Sequence, residues 1–219
     1  MRIPTYWEVS KIRERGKEEF FKSPGVIKTS KRGLRTGIVA DYYIDFDNGT
    51  VDPFTAADVV SLYVIKINEI LRQRSIDYLG FIEKDAGGTV GAVKAALAIS
   101  IMTKIPNILI KLGKELEFER VKLQPISDKW QLGGSRFILI TDHCTTGREA
   151  IKAVSAIEKN GGIVTDVVAY TSRSDRIKTR QFEERNITFH SIYNLPEDLK
   201  NVGIDIESKI KERDCKGSY

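Results

Sequence analysis

The sequence predicts an α/β fold in which a parallel, twisted sheet is flanked by helices, preceded by an N-terminal addition. Three observations carry this. Short apolar runs alternate with stretches of helical period from residue 54 onward, as in a parallel sheet built from β-α units. The runs themselves, "FILI" among them, look buried. And 219 residues with 41% apolar side chains can bury one substantial core without requiring a second.

The first forty residues are charged and punctuated by glycine. Trp7 to Phe21 reads as a short helix, Ser23-Pro24-Gly25 as a turn, and "KTSKRGLRTG" as a basic segment. "DYYIDFD", Asp41 to Asp47, alternates polar with apolar or aromatic residues and predicts a half-exposed strand. From Phe54 to Arg74, Val59, Leu62, Tyr63, Ile67, Ile70 and Leu71 share one helical face, and Thr55 with Asp58 resembles a capping box. "IDYLGFI" is a strand, "GTVGAVKAALAISIMTK" a helix and "NILIKL" a strand. Gly113 to Gly134 reads as a long loop or extended hairpin, a length more often found where a loop has a function. A strand over Phe137–Ile140 leads to a helix with Ala150, Ile151, Val154 and Ile157 on its face, stopped by Asn160-Gly161-Gly162. Ile163–Ser172 and Ile187–Leu195 complete the strands, and the last twenty or so residues carry little pattern.

Composition narrows the function classes. A net charge of +5 with 30% charged residues describes a mixed, mildly basic surface, which suits phosphate-bearing small ligands as well as nucleic acid. The two cysteines, Cys144 and Cys215, form neither a disulfide framework nor a zinc pattern, and no run of about 18 apolar residues offers a membrane span. The N-terminus lacks a signal-peptide core, so the expectation is a reduced, cytoplasmic protein.

The segment "TDHCTTGRE", Thr141 to Glu149, joins a strand to a helix. The first-turn N–H groups and positive dipole end of that helix, with two threonine hydroxyls and Gly147, suit an anion such as phosphate. Asp142 would repel the phosphate itself but can accept hydrogen bonds from sugar hydroxyls beside it. Ribose phosphate is the ligand this pattern suggests. The plainer alternative is a polar turn with Thr145 or Thr146 as helix N-cap. Gly87, Gly88 and Gly91 imitate a dinucleotide fingerprint, but the spacing is GGxxG, and no acid ends the next strand. Arg35 with Lys31 and Arg32 beside Tyr42 and Tyr43 has the composition of a nucleic-acid patch, which we rank below the small-ligand reading.

The same segment resembles the motif that binds phosphoribosyl diphosphate (PRPP) in type I phosphoribosyltransferases, with Asp142 as the second acid and Thr145, Thr146 and Gly147 as its TTG. Further segments resemble orotate phosphoribosyltransferases in the same order: "LRTGIVADYYID", the "KLGK" of Lys111 and Lys114, and the "TSR" ending at Arg173. The resemblance spans roughly Leu34 to Leu195 and implies the type I phosphoribosyltransferase fold with a small hood-like segment over residues 1–50, a core over 51–196 and an extension over 197–219. It implies transfer of 5-phosphoribosyl from PRPP to a base, orotate first. Lys111, Lys114 and Asp142 would be catalytic. Lys84, Asp142, His143, Cys144, Thr145, Thr146, Gly147, Arg148 and Glu149 would bind PRPP, and Arg35 and Arg173 the base. Mg2+ would arrive with PRPP, no protein metal ligand is named, and a homodimer is implied. Thr141 replaces the first acid, while Ile38, Ile110 and Leu116 stand where an arginine, an arginine and a histidine are usual. These departures keep a second reading open: a non-catalytic PRPP or nucleotide sensor.

Overall fold

A computed structural model describes residues 6–29, 32–33, 39–84, 91–112, 122–124 and 132–216. The chain opens with helix α1 (Tyr6–Lys22), then a hairpin in two pieces. Its outer ladder pairs β1 (Ile27–Lys28) with β4 (Tyr43–Ile44), and its inner ladder pairs β2 (Arg32–Gly33) with β3 (Val39–Ala40), both antiparallel. The predicted strand over Asp41–Asp47 is therefore only two residues long. Asp45 ends it by capping α2 (Phe46–Gly49), its side chain accepting from Asn48 N, and by pairing with Lys28.

Helix α3 (Pro53–Leu71) follows, and its cap differs from the expected one. Asp52 is the N-cap, accepting from Thr55 N at 2.7 Å and from Thr55 Oγ1 at 3.0 Å, with Pro53 at the first helical position. Asp58 is instead forked by Arg15 of α1, at 2.7 and 2.5 Å. Then come β5 (Tyr78–Lys84), α4 (Gly91–Thr103), β6 (Asn107–Leu112), β7 (Lys122–Gln124), β8 (Arg136–Cys144), α5 (Arg148–Lys159), β9 (Ile163–Arg173), α6 (Arg180–Glu183) and β10 (Thr188–Leu195). The C-terminal residues form two helices, α7 (Glu197–Asn201) and α8 (Ile206–Lys216).

The main sheet runs β10-β9-β8-β5-β6-β7, parallel except for β7, which pairs antiparallel with β6 inside the segment read as a loop or hairpin. Period-two alternation divides the strand residues between two cores. Leu79, Phe81, Ile138, Ile140, Val168 and Tyr170 face one side with residues of α1, α3, α4, α7 and α8. Tyr78, Ile82, Ile108, Ile110, Phe137, Leu139 and Val167 face the other with α5 and Phe182 of α6. An aromatic cluster fixes α1 to the first face: Phe20 lies 4.8 Å from Tyr170, and Phe21 lies 5.5 Å from Tyr193.

The chain path places the site. From β5 it crosses through α4 to β6 on one side, whereas β8 lies on the other side of β5 and leads outward to β9 and β10. In open α/β sheets, ligands bind outside the carboxyl ends of the strands where the order reverses in this way.

Candidate functional site

Four strands deliver expected site residues to the same edge of the sheet. Lys111 is the penultimate residue of β6, Lys84 the last of β5, Asp142 to Cys144 the end of β8, and Arg173 the last of β9. Adjacent strands are about 5 Å apart, so this edge sets a row of functional groups across roughly three such steps. Only the backbone of Lys84 is described, and Lys114, Arg35, Leu116 and Ile38 lie outside the described residues.

β8 does not stop at Ile140 as expected but continues through Thr141, Asp142, His143 and Cys144. β9 supplies the reason: Thr141 is held opposite Ala169, His143 opposite Thr171 and Cys144 opposite Ser172. From α3, the buried Tyr63 hydroxyl donates to the Thr141 carbonyl at 2.8 Å. Burial, and then the nearby Asp142 charge, push the Tyr63 phenol well above its ordinary pKa, so it remains a donor. We expect Tyr63→Phe to cost about 1 to 2 kcal/mol, lowering Tm by about 2 to 8 °C in a calorimetric melt for a chain of this size.

Asp142 itself is 3% exposed. Its Oδ1 accepts from His143 N at 2.7 Å and from Thr141 Oγ1 at 3.4 Å. The loop then turns at Thr145 and Thr146, both half-buried, and Gly147 is the N-cap of α5 with φ +83°. Gly147 and not a threonine is the N-cap, contrary to the plainer reading, and Thr146 Oγ1 accepts only a long bond from Arg148 N, at 3.5 Å. Gln181 of α6 donates to the Thr146 carbonyl at 2.8 Å and holds the loop from outside. Cys144 is buried, so its contact with any ligand would be through backbone. Arg148 is exposed and Glu149 half-buried in the first turn of α5.

At the far end of the row, Arg173 is buried, with its guanidinium 4.2 Å from the centre of the Tyr42 ring. Asp175 takes its Nε and Nη2 at 2.9 and 2.7 Å, and these bonds hold the Asp175 carboxyl below its usual range. A fork on that edge leaves Nη1, on the outer edge, as the donor to be offered to a further acceptor.

No protein-family model matches the chain. Among curated proteins it is similar to the orotate phosphoribosyltransferase of Rhodopseudomonas palustris strain BisB18, at 28% identity over 173 residues, 77% of this chain and 87% of that one. It is equally similar, at 28% over 176 residues, to that of Methanosphaera stadtmanae, covering 80% and 90%. Among solved structures, orotate phosphoribosyltransferase from Aeropyrum pernix superposes with a TM-score of 0.63 at 16% identity, over 89% of this chain and 98% of that one. Adenine phosphoribosyltransferase from Saccharomyces cerevisiae does so with 0.57 at 12%, over 84% and 99%. The fold is that of the type I phosphoribosyltransferases.

Within the phosphoribosyltransferase fold, the departures from the motif have local explanations. Ile110 points into the core with Ile82 and Leu139 rather than to the ligand edge, so an arginine there would bury its charge. Thr141 is buried too, and it leaves Asp142 the only carboxylate on β8. Sequence reasoning missed Thr171, Gln181 and Asp175. Each touches the motif or Arg173, yet Thr171 and Gln181 lie 28 and 35 residues from their partners, and no local pattern marks them.

Proposed function

We propose that this chain transfers the 5-phosphoribosyl group of PRPP to orotate, giving orotidine 5-phosphate and diphosphate, a step of pyrimidine nucleotide synthesis. The observation that carries the reading is the strand-to-helix loop Thr141–Glu149 at the reversal of strand order, with Lys111 and Arg173 to either side on the same edge. The similarity to curated orotate phosphoribosyltransferases supports the choice of acceptor.

In this arrangement, Thr145 to Glu149 hold the 5-phosphate through the opening turn of α5, and Asp142 accepts from the ribose hydroxyls. The glycosidic C1–O bond to diphosphate breaks as a base nitrogen forms its bond to C1, and the nitrogen's proton is released. The reaction passes through a cation-like ribosyl group, so the protein's work is positioning and charge stabilisation. Lys111, with Lys84 and Lys114, meets the negative charge growing on diphosphate. Arg173 offers its outer edge to the acceptor carboxylate, and Arg35 is the second base-binding residue of this reading. Magnesium enters as part of the PRPP complex, on phosphate and water oxygens.

Leu97 and Ile101 are 63% and 67% exposed one turn apart on α4, which supports a homodimer across that helix. No helix among the described residues is long and apolar enough to cross a membrane. The cysteine usage supports a cytoplasmic setting.

The substitution of Thr141 for an acid supports a second reading, a PRPP sensor without turnover. Both are tested by following orotate absorbance with PRPP and magnesium, alongside thermal melts with PRPP alone. Loss of absorbance supports the enzyme, and stabilisation without turnover supports the sensor. Neither signal at millimolar PRPP would remove both.

A further inference from the structure

Helix α8 reaches from the C-terminal part of the chain back to the hairpin that precedes α2. The helix is fixed at its start: Asp205 Oδ1 accepts from Glu207 N at 3.0 Å and from Ser208 N at 3.3 Å, while Ile206 lies in the core with Ile210 packed against it. Two turns on, Asp214 Oδ1 accepts from Nε and Nη2 of Arg213 at 3.0 and 2.8 Å. The remaining Nη1 donates to the Asp41 carbonyl at 2.9 Å, across 172 residues of sequence. That oxygen belongs to the peptide between Asp41 and Tyr42, the two residues that link β3 to β4. A peptide unit is planar, so holding its oxygen also holds the nitrogen and Cα of Tyr42.

This tie bears on Arg173. The Tyr42 ring is buried with its centre 4.2 Å from the Arg173 guanidinium. Among the described residues its buried hydroxyl has no hydrogen-bond partner, so the ring has no polar tether of its own and depends on packing and backbone. The other tie on Asp41 is weak: its carboxylate meets Arg176 only at 3.6 Å, with side chains 44% and 26% exposed, a pair worth little. The charge-assisted bond from Arg213 is shorter, and that side chain is 19% exposed. We infer that helix α8, through Arg213, is a positioning element for the acceptor: by holding the Asp41–Tyr42 peptide it keeps the Tyr42 ring against Arg173 and so sets where the guanidinium meets the acceptor carboxylate. This rests on the proposed reaction, in which Arg173 binds that carboxylate. Arg213 touches neither substrate and acts only through Tyr42.

Steady-state kinetics and calorimetric titration test it. Arg213→Met should raise KM for orotate and Kd for orotidine 5-phosphate about tenfold, a fraction of the roughly hundredfold that a full 1 Å misplacement can cost. KM for PRPP and Kd for ribose 5-phosphate should stay at their wild-type values. Arg213→Lys, whose ammonium can donate to the same carbonyl, should recover most of the loss. Lys211→Met removes the same charge from an exposed position of α8 and should leave both ligands' affinities unchanged. Tyr42→Leu should weaken acceptor binding by itself, and the Tyr42→Leu/Arg213→Met double variant should lose no more than Tyr42→Leu alone. A lowered Tm with unchanged acceptor affinity in Arg213→Met would make the bond a structural staple and overturn the inference. A loss shared equally by ribose 5-phosphate, an equal loss in Lys211→Met, or losses that multiply in the double variant would also overturn it. Should the leucine variant fail to fold, the split between acceptor and ribose phosphate and the lysine recovery still decide. A wild-type protein that binds ribose 5-phosphate but not orotidine 5-phosphate would instead remove the acceptor reading beneath it.

Discussion

Gly147→Ala is expected to weaken ribose 5-phosphate and PRPP binding by about a hundredfold and to lower the melting temperature as well. Two independent costs meet at this residue. Its φ of +83° is left-handed, which a side chain tolerates at roughly 1 to 2 kcal/mol. A Cβ built there would lie 2.1 Å from Gln181 Nε2 and 2.9 and 3.0 Å from the Phe182 ring. Gln181 can swing aside, but only by giving up its bond to the Thr146 carbonyl. Phe182 is fully buried and stacked 5.1 Å from Phe189, so it yields little, and the loop must move instead. A displacement of about 1 Å in a positioning element can cost on the order of a hundredfold. The strain alone should lower Tm by about 2 to 8 °C for a chain of this size. Gly203→Ala separates the two effects. Gly203 also has positive φ, +74°, but nothing lies within 4 Å of its would-be Cβ, and it sits between α7 and α8. It should lose stability and keep its affinity. Titration calorimetry that found Gly147→Ala binding as tightly as wild type would exclude the loop as the phosphate cradle.

The contrast between what could be read from residues and what needed coordinates follows from the range of the forces involved. The strands over Asn107–Leu112 and Ile163–Arg173 are legible because parallel strands covered on both faces must be apolar along their length, and helix α3 is legible from its apolar face. The end of β8 was not legible. Thr141, Asp142 and His143 are polar and look like a loop, yet Ala169, Thr171 and Ser172 of β9 hold them in the ladder. The cap of α3 was misassigned for a related reason. Asp58 has the spacing of a capping residue, but Arg15, 43 residues earlier, claims its carboxylate. The C-terminal residues look featureless until Leu199 and Ile206 are seen in the core beside the sheet and Arg213 Nη1 donates to the Asp41 carbonyl at 2.9 Å. The candidate ligand loop suggests its chemistry in sequence because its residue types are consecutive. The groups that hold it in place do not, because Thr171 and Gln181 come from β9 and α6.

Asp142→Asn is expected to lower kcat by about a hundredfold while leaving the fold in place and the KM for PRPP little changed. The exchange keeps the shape and one acceptor oxygen and removes only the charge. That charge bears on a ribosyl group that becomes cation-like as diphosphate departs. At an effective dielectric of about 20 and a separation of about 5 Å, a full charge pair is worth roughly 3 kcal/mol, or about two powers of ten in rate. The benefit exists only in the transition state. In the ground state the same carboxylate repels the phosphates, so its removal offsets the lost hydrogen bond to ribose, and affinity moves little. Thr141 makes the effect sharper, because no other carboxylate on β8 could take over. A purely structural role for Asp142 would give the reverse pattern: a lowered Tm through its bonds to His143 N and Thr141, with kcat per folded molecule intact. Steady-state kinetics of orotate consumption together with a melt decide between them. A wild-type kcat in Asp142→Asn would mean that whatever stabilises the ribosyl cation lies elsewhere in the site.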